Sequence, residues 1–258
     1  MEKNLKTRKI EKAEPRNLKG SCLTRYVADQ IQELGLNSRR NQDGDNLRTC
    51  ILVDASGSLN YRHLGPSTKF DYACTLAAGL IYLKFSQRDP VSFSFYREQI
   101  QHGLALVSSL QTLNQILLEM EKAESVGVSD IEKSLHQVAE MLTERNRVII
   151  LSDLLQPPDE IARGIQHLNN AQHTVEVFHI LDGAEISFPF HGLMDIYDLE
   201  SGVKLLIEAD KIRSDYCRSI QKHLDQVRRL VLGCGASYSH MDTRTPMLEI
   251  LAKRTKLY

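Results

Sequence analysis

Asp54, Ser56 and Ser58 occupy alternate positions in the stretch TCILVDASGSLN, directly after a run of β-formers. Two side chains of matching chemistry lie downstream, Ser129 in VGVSDIEKSL and Asp153 in VIILSDLL. Together they make a donor set of two carboxylates and three hydroxyls, all hard oxygens. A divalent cation such as Mg²⁺ takes oxygen ligands in octahedral geometry, usually one or two carboxylates with neutral oxygens and water. Gly57 lets the backbone bend tightly enough for Ser56 and Ser58 to aim at one point. A shell made only of carboxylates would saturate the ion. A shell rich in hydroxyls leaves it electrophilic and able to accept one more carboxylate from a partner protein.

Plainer readings stand beside this one. Small polar residues at a strand-to-loop turn are common in α/β folds, and Ser129 before Asp130-Ile131-Glu132 is a good helix N-cap. Lys69 and Asp71 open a helix near the site. Lys69 could touch a bound carboxylate, but it reads first as a solvated first-turn residue. Asp242 reads as loop polarity. His167, His173 and His179 fall on different elements, without helical i, i+4 spacing or a paired cysteine, so they do not read as a zinc site.

The elements that would position the donor set alternate along the chain. Thr49–Val53 is a continuous apolar run, as in a strand buried on both faces. Lys69–Ser86 has helical spacing with Phe70, Ala73, Ala77, Leu80 and Ile81 inward. VSFSFY, QIQHGLALV (at an edge), RVIILS, TVEVFHIL and SYSHMD read as strands. Helices are expected over 110–123, 130–143, 157–170, from 210 to about 232, and at the C-terminal end. The stretch 182–208 breaks the rhythm with two short strands and a turn at Glu200-Ser201-Gly202. Such alternation predicts an α/β layer fold with a mostly parallel sheet. In such sheets, ligands sit at the carboxyl ends of the strands, where Asp54 and Asp153 fall.

Upstream, SCLTRYVADQIQELGL places Leu23, Val27, Ile31 and Leu34 on one helical face, and NSRRNQDGDN reads as a polar loop. The first 20 residues are basic, with few large apolar side chains, and read as a solvated tail. Residues 1–47 are therefore set apart from a domain spanning 48–258. The formal net charge of −1 over 258 residues gives no global attraction to nucleic acid or acidic membranes. No run approaches the ~20 apolar residues of a membrane span, and the N-terminus lacks the apolar region of a signal peptide. Five scattered cysteines without a CxxC pair suggest a reduced, cytoplasmic protein.

Asp54, Ser56, Ser58, Ser129 and Asp153 resemble the metal-ion-dependent adhesion site of von Willebrand factor A domains. That site has D-x-S-x-S at the first strand, a Thr or Ser about 70 residues on, and an Asp after the fourth strand. The blocks LVDASGSL, TKFDYACTLAAGLIYLKFSQRDPVSF, VIILSDLL, HILDGAEISFPFHGLMDIYDLESG and DTRTPMLEIL are similar to the bacterial family called domain of unknown function 58. The resemblance covers nearly all of 48–258. It implies a Rossmann-like three-layer sandwich with a small β-hairpin insertion near 185–208, Mg²⁺ or Mn²⁺ at the five residues, and a MoxR-type AAA+ ATPase as co-worker. Two departures stand out. Ser129 replaces the usual Thr, and the I-D-W block with its Arg-rich segment, which normally follows the G-D-D-L-R-like motif at Gly44–Arg48, is missing.

Three functional classes follow. The first is a non-enzymatic, Mg²⁺-dependent protein-binding module that holds an acidic side chain of a partner. The second is a Mg²⁺-dependent phosphohydrolase or phosphotransferase with Asp54 as nucleophile. Against it, phosphatases of the haloacid-dehalogenase type put a second Asp where this chain has Ser56. The third is a metal-free scaffold. No G-x-S-x-G and no P-loop motif is present.

Overall fold

The computed structural model describes residues 47–197, 199 and 202–257, the last five for their backbone alone, together with 23, 26, 27 and 29. Ile31, Leu34, the first 20 residues and Glu200-Ser201 lie outside the described residues.

Among the described residues from 47 onward, eight strands and seven α-helices follow one another as β1 (Arg48–Asp54), α1 (Lys69–Ser86), β2 (Val91–Tyr96), β3 (Ala105–Val107), α2 (Leu110–Lys122), α3 (Ile131–Met141), β4 (Asn146–Ser152), α4 (Pro158–Asn170), β5 (Thr174–Leu181), α5 (Gly183–Ser187), β6 (Leu193–Tyr197), β7 (Lys204–Glu208), α6 (Ala209–Gly233), β8 (Ser237–Asp242) and α7 (Met247–Leu257). Six strands form the central sheet in the order β3-β2-β1-β4-β5-β8, and β6 pairs with β7 in a separate hairpin. All neighbours in the large sheet are parallel except the short edge strand β3, which runs antiparallel to β2.

The apolar runs of β1 and β4 have their cause in this topology. Alternate side chains feed opposite layers, since successive residues of a strand point to opposite faces. Ile51, Val53, Ile149 and Leu151 join one core with α1, α2 and α7. Cys50, Leu52, Val148 and Ile150 join the other, with α3, α4 and α6. This is the expected von Willebrand A-like sandwich. Leu23 and Val27 are helical and pack into the first core, and the Leu23 N–H donates to Glu121 Oε1 at 2.8 Å. α1 is buried almost all round and rich in small residues. A Cβ on Gly79 would lie 2.8 Å from Leu251 Cδ1, so the close approach of α7 depends on that glycine.

The chain leaves β1 toward β2 on one side, and the later strands β4, β5 and β8 lie on the other. The order therefore reverses between β1 and β4. At such a switch point, loops diverge above the strand ends and leave a crevice.

Candidate metal centre

Register puts the two key strand ends side by side. Val53 is opposite Leu151 in the parallel β1–β4 pair, so Asp54 faces Ser152, with Asp153 one residue beyond. Asp54, Ser56 and Asp153 are buried, whereas Ser58 and Ser129 are partly exposed and form the solvent side.

Backbone bonds hold the Asp54–Ser58 loop in place. The Ala55 N–H donates to Tyr96 O at 2.9 Å, the Gly57 N–H to Gly127 O at 2.7 Å, and Val126 N–H to Ala55 O at 3.0 Å. A single 3-10 turn, Gly57–Asn60, follows, with Leu59 buried in the core. Ser56 N–H donates to Asp54 Oδ1 at 2.9 Å, and the Ser56 and Ser58 hydroxyls lie 3.1 Å apart. A Cβ on Gly57 would stand 2.7 Å from the Leu199 carbonyl oxygen in the β6–β7 turn and 3.3 Å from Gly127 O. Gly57→Ala should therefore push the hairpin tip off the loop and cost about 1–3 kcal/mol, read from thermal unfolding. An unchanged melting temperature would refute that contact.

Ser129 does not cap its helix. The N-cap of α3 is Asp130, which accepts from Lys133 N at 2.9 Å. The Ser129 hydroxyl is thereby free to donate to Asp54 Oδ2 at 3.4 Å, and it accepts from the Gln156 amide. Ser152 and Gln156 were not singled out in the sequence. Ser152 Oγ donates to Asp54 Oδ2 at 2.7 Å and accepts from Leu154 N at 3.0 Å. The β1–β4 register alone could have pointed to Ser152. Leu154 adopts the left-handed conformation (φ 48) just after Asp153, a strained turn for a non-glycine residue.

Asp153 faces two ways. Its Oδ2 accepts from Lys69 Nζ at 2.7 Å, while Oδ1 is buried without a hydrogen-bond partner. Its backbone carbonyl accepts from His179 Nε2 at 2.7 Å. That bond puts the imidazole proton on Nε2, so Nδ1 accepts from the Tyr238 hydroxyl at 2.8 Å. Burial pushes the His179 pKa down to about 3, leaving a neutral ring that braces the strand end.

Lys69 corrects the sequence reading. It is no solvated first-turn residue, since its side chain is 0% exposed and bridges Asp153 to Glu185 Oε1, the latter at 2.6 Å. Burial alone would discharge the ammonium, but the two carboxylates outweigh it and hold it charged. Glu185 comes from α5, a short helix absent from the sequence reading. There Asp182 and Glu185 form a capping box.

Burial, and then repulsion from Asp153, push the Asp54 pKa well above the ordinary carboxylate range. Two buried carboxylates, one with an orphaned oxygen, and three hydroxyls fit a hard divalent cation. Among the described residues, no three His, Cys, Asp or Glu side chains gather as a metal-binding group. A cation here would therefore depend on the hydroxyls.

Comparisons place the chain among known proteins. Uncharacterized proteins of Mycobacterium bovis and Mycobacterium tuberculosis are 25% identical over 199 residues, 74% of this chain and 60% of theirs. The chain thus spans less than two thirds of these relatives. The crystal structure of the conserved hypothetical protein BatB from Bacteroides thetaiotaomicron superposes with a TM-score of 0.55 at 12% identity, covering 82% of this chain and 100% of that one. An aerotolerance-related membrane protein from Bacteroides fragilis gives 0.54 at 13% identity over the same shares. At such identities, the likeness is one of fold. No helix among the described residues is long and apolar enough to cross a membrane. The family model described as protein of unknown function DUF58 matches residues 38–226, well over half of the sequence, and the chain belongs to that family.

Proposed function

We propose that this chain is a protein-binding module whose binding depends on Mg²⁺ or Mn²⁺ held by Asp54, Ser56, Ser58, Ser129 and Asp153. The carrying observation is the orphaned Asp153 Oδ1. A buried carboxylate oxygen without a partner is costly, and a cation between Asp153 and Asp54 offsets both that cost and their repulsion. When bound, the ion supplies a Lewis-acidic position for a partner's Asp or Glu carboxylate. Ser58 and Ser129, the partly exposed donors, lie on the side from which that carboxylate arrives.

Binding fits this geometry better than hydrolysis does. Both Asp54 oxygens already accept hydrogen bonds, from Ser56 N–H and from the Ser152 and Ser129 hydroxyls, which leaves a poor nucleophile. The hairpin beside the site exposes Leu193, Tyr197, Leu205 and Leu206, each more than half accessible. Exposed apolar clusters of this kind commonly serve interaction. A MoxR-type AAA+ ATPase is the partner implied by family resemblance, and a reduced cytoplasmic setting suits the four described free cysteines.

Calorimetric titration of Mg²⁺ and Mn²⁺ into the full chain tests the reading. We expect saturable, one-to-one binding, and retention of the ATPase in a pull-down with Mg²⁺ that EDTA abolishes. Absence of heat for either metal, together with an EDTA-insensitive pull-down, would overturn it.

A further inference from the structure

Lys69 is an expensive residue for the fold to hold. Its ammonium is wholly buried, lies 2.7 Å from Asp153 Oδ2 and 2.6 Å from Glu185 Oε1, and ties together elements 84 and 116 positions apart. Desolvating such ions costs several kcal/mol each before their attraction is counted. A clamp joining α1 to β4 and α5 could be made more cheaply from apolar side chains. The arrangement makes better sense as a charge-setting device. Lys69 occupies one Asp153 oxygen and leaves the other buried without a hydrogen-bond partner, and Asp153 as a whole is close enough to Asp54 to repel its charge. Asp54, Asp153 and Glu185 carry three negative charges and Lys69 one positive charge, leaving two negative charges. Asp182 is ionised too but lies outside this set, because its carboxylate bonds to the N–H groups of His63, Leu64, Gly65 and Ala184 and to none of these four side chains. A divalent cation brings the centre to neutrality.

We propose that Lys69 sets the charge of the metal centre: paired with Asp153 and balanced by Glu185, it fixes how much negative charge the cation must neutralise. This rests on the metal reading above. It also assigns Glu185 as the opposing control, although no part of Glu185 need touch the metal.

Three variants test it, with Mn²⁺ alone as titrant at mildly alkaline pH and metal-free thermal unfolding as the check on folding. Lys69→Met adds one net negative charge and should tighten Mn²⁺ binding about tenfold. Glu185→Gln removes one and should weaken it about tenfold. The double variant restores the wild-type charge and should return to within about threefold of wild type. A purely structural clamp predicts otherwise, namely that both single variants weaken binding and the double variant does so at least as much. That pattern would overturn the assignment. Should Lys69→Met fail to fold, Glu185→Gln decides, and unchanged or tighter binding there overturns it. Failure of the wild type to bind Mn²⁺ would instead overturn the metal reading itself.

Discussion

Asp54→Asn is expected to lose Mg²⁺ binding by more than ~100-fold and, at the same time, to unfold at a higher temperature than the wild type when no metal is present. The two effects share one cause. Asp54 is buried beside Asp153, and burial with that repulsion raises its pKa above the ordinary range. The native state therefore holds its Asp54 proton more tightly than the unfolded chain does. Wild-type stability falls as pH rises from the ordinary carboxylate pKa to the raised one, and above that window the full penalty is present. Asparagine keeps the shape and still accepts from Ser56 N–H, while the Ser152 hydroxyl can rotate to accept from the new amide. Removing the charge should add on the order of 2 kcal/mol to metal-free stability at mildly alkaline pH. Saturating metal reverses the order. At a hundred times the wild-type Kd, the wild type gains about 2.7 kcal/mol and the variant less than about 0.4 kcal/mol. Thermal melts with EDTA and with Mg²⁺ should thus cross. Parallel melts, with the wild type higher in both, would show that Asp54 is a structural carboxylate and no ligand.

What the sequence disclosed follows the reach of each interaction. β1 and β4 were legible because burial on both faces forces an unbroken apolar run, whichever strand lies alongside. Asp54, Ser56 and Ser58 were legible because one tight turn carries all three. Lys69 was not. Position 69 opens a helix, where a lysine is ordinarily solvated, and only the meeting of β4 and α5 above it supplies Asp153 and Glu185. α5 escaped notice because five residues carry no helical period, and its cue is the Asp182/Glu185 capping box. At 129–130 two adjacent residues could each cap α3, and local pattern cannot choose between them. Asp130 caps, and Ser129 is released toward Asp54.

Asp182→Ala should have the largest effect among residues that touch no donor of the site. Its buried carboxylate accepts from His63 N at 3.0 Å, Leu64 N at 3.0 Å, Gly65 N at 2.9 Å and Ala184 N at 2.8 Å. Burial tends to raise its pKa, yet these four donors bring it down to about 2. The fixed segment runs from the turn that carries Ser58 to the helix that begins at Lys69. It is pressed home at Gly65, where a Cβ would stand 2.2 Å from Thr243 Oγ1. Alanine leaves these N–H groups to water or to nothing. The expected cost is about 2–3 kcal/mol, with a loss of metal affinity of about tenfold as Ser58 and Lys69 loosen together. The pH dependence is specific to this carboxylate. A depressed folded pKa gives stability that is fully present above the unfolded value near 3.8 and is lost as pH falls toward 2. The gap between wild type and Asp182→Ala in chemical denaturation should therefore stay level at neutral pH and narrow below about pH 4. Hydrogen exchange should quicken at residues 63–65 in the variant, while β1 and β4 stay protected. Unchanged exchange at 63–65 would mean that the loop is held by its flanking elements alone, and that the carboxylate at the end of β5 does not connect it to the metal centre.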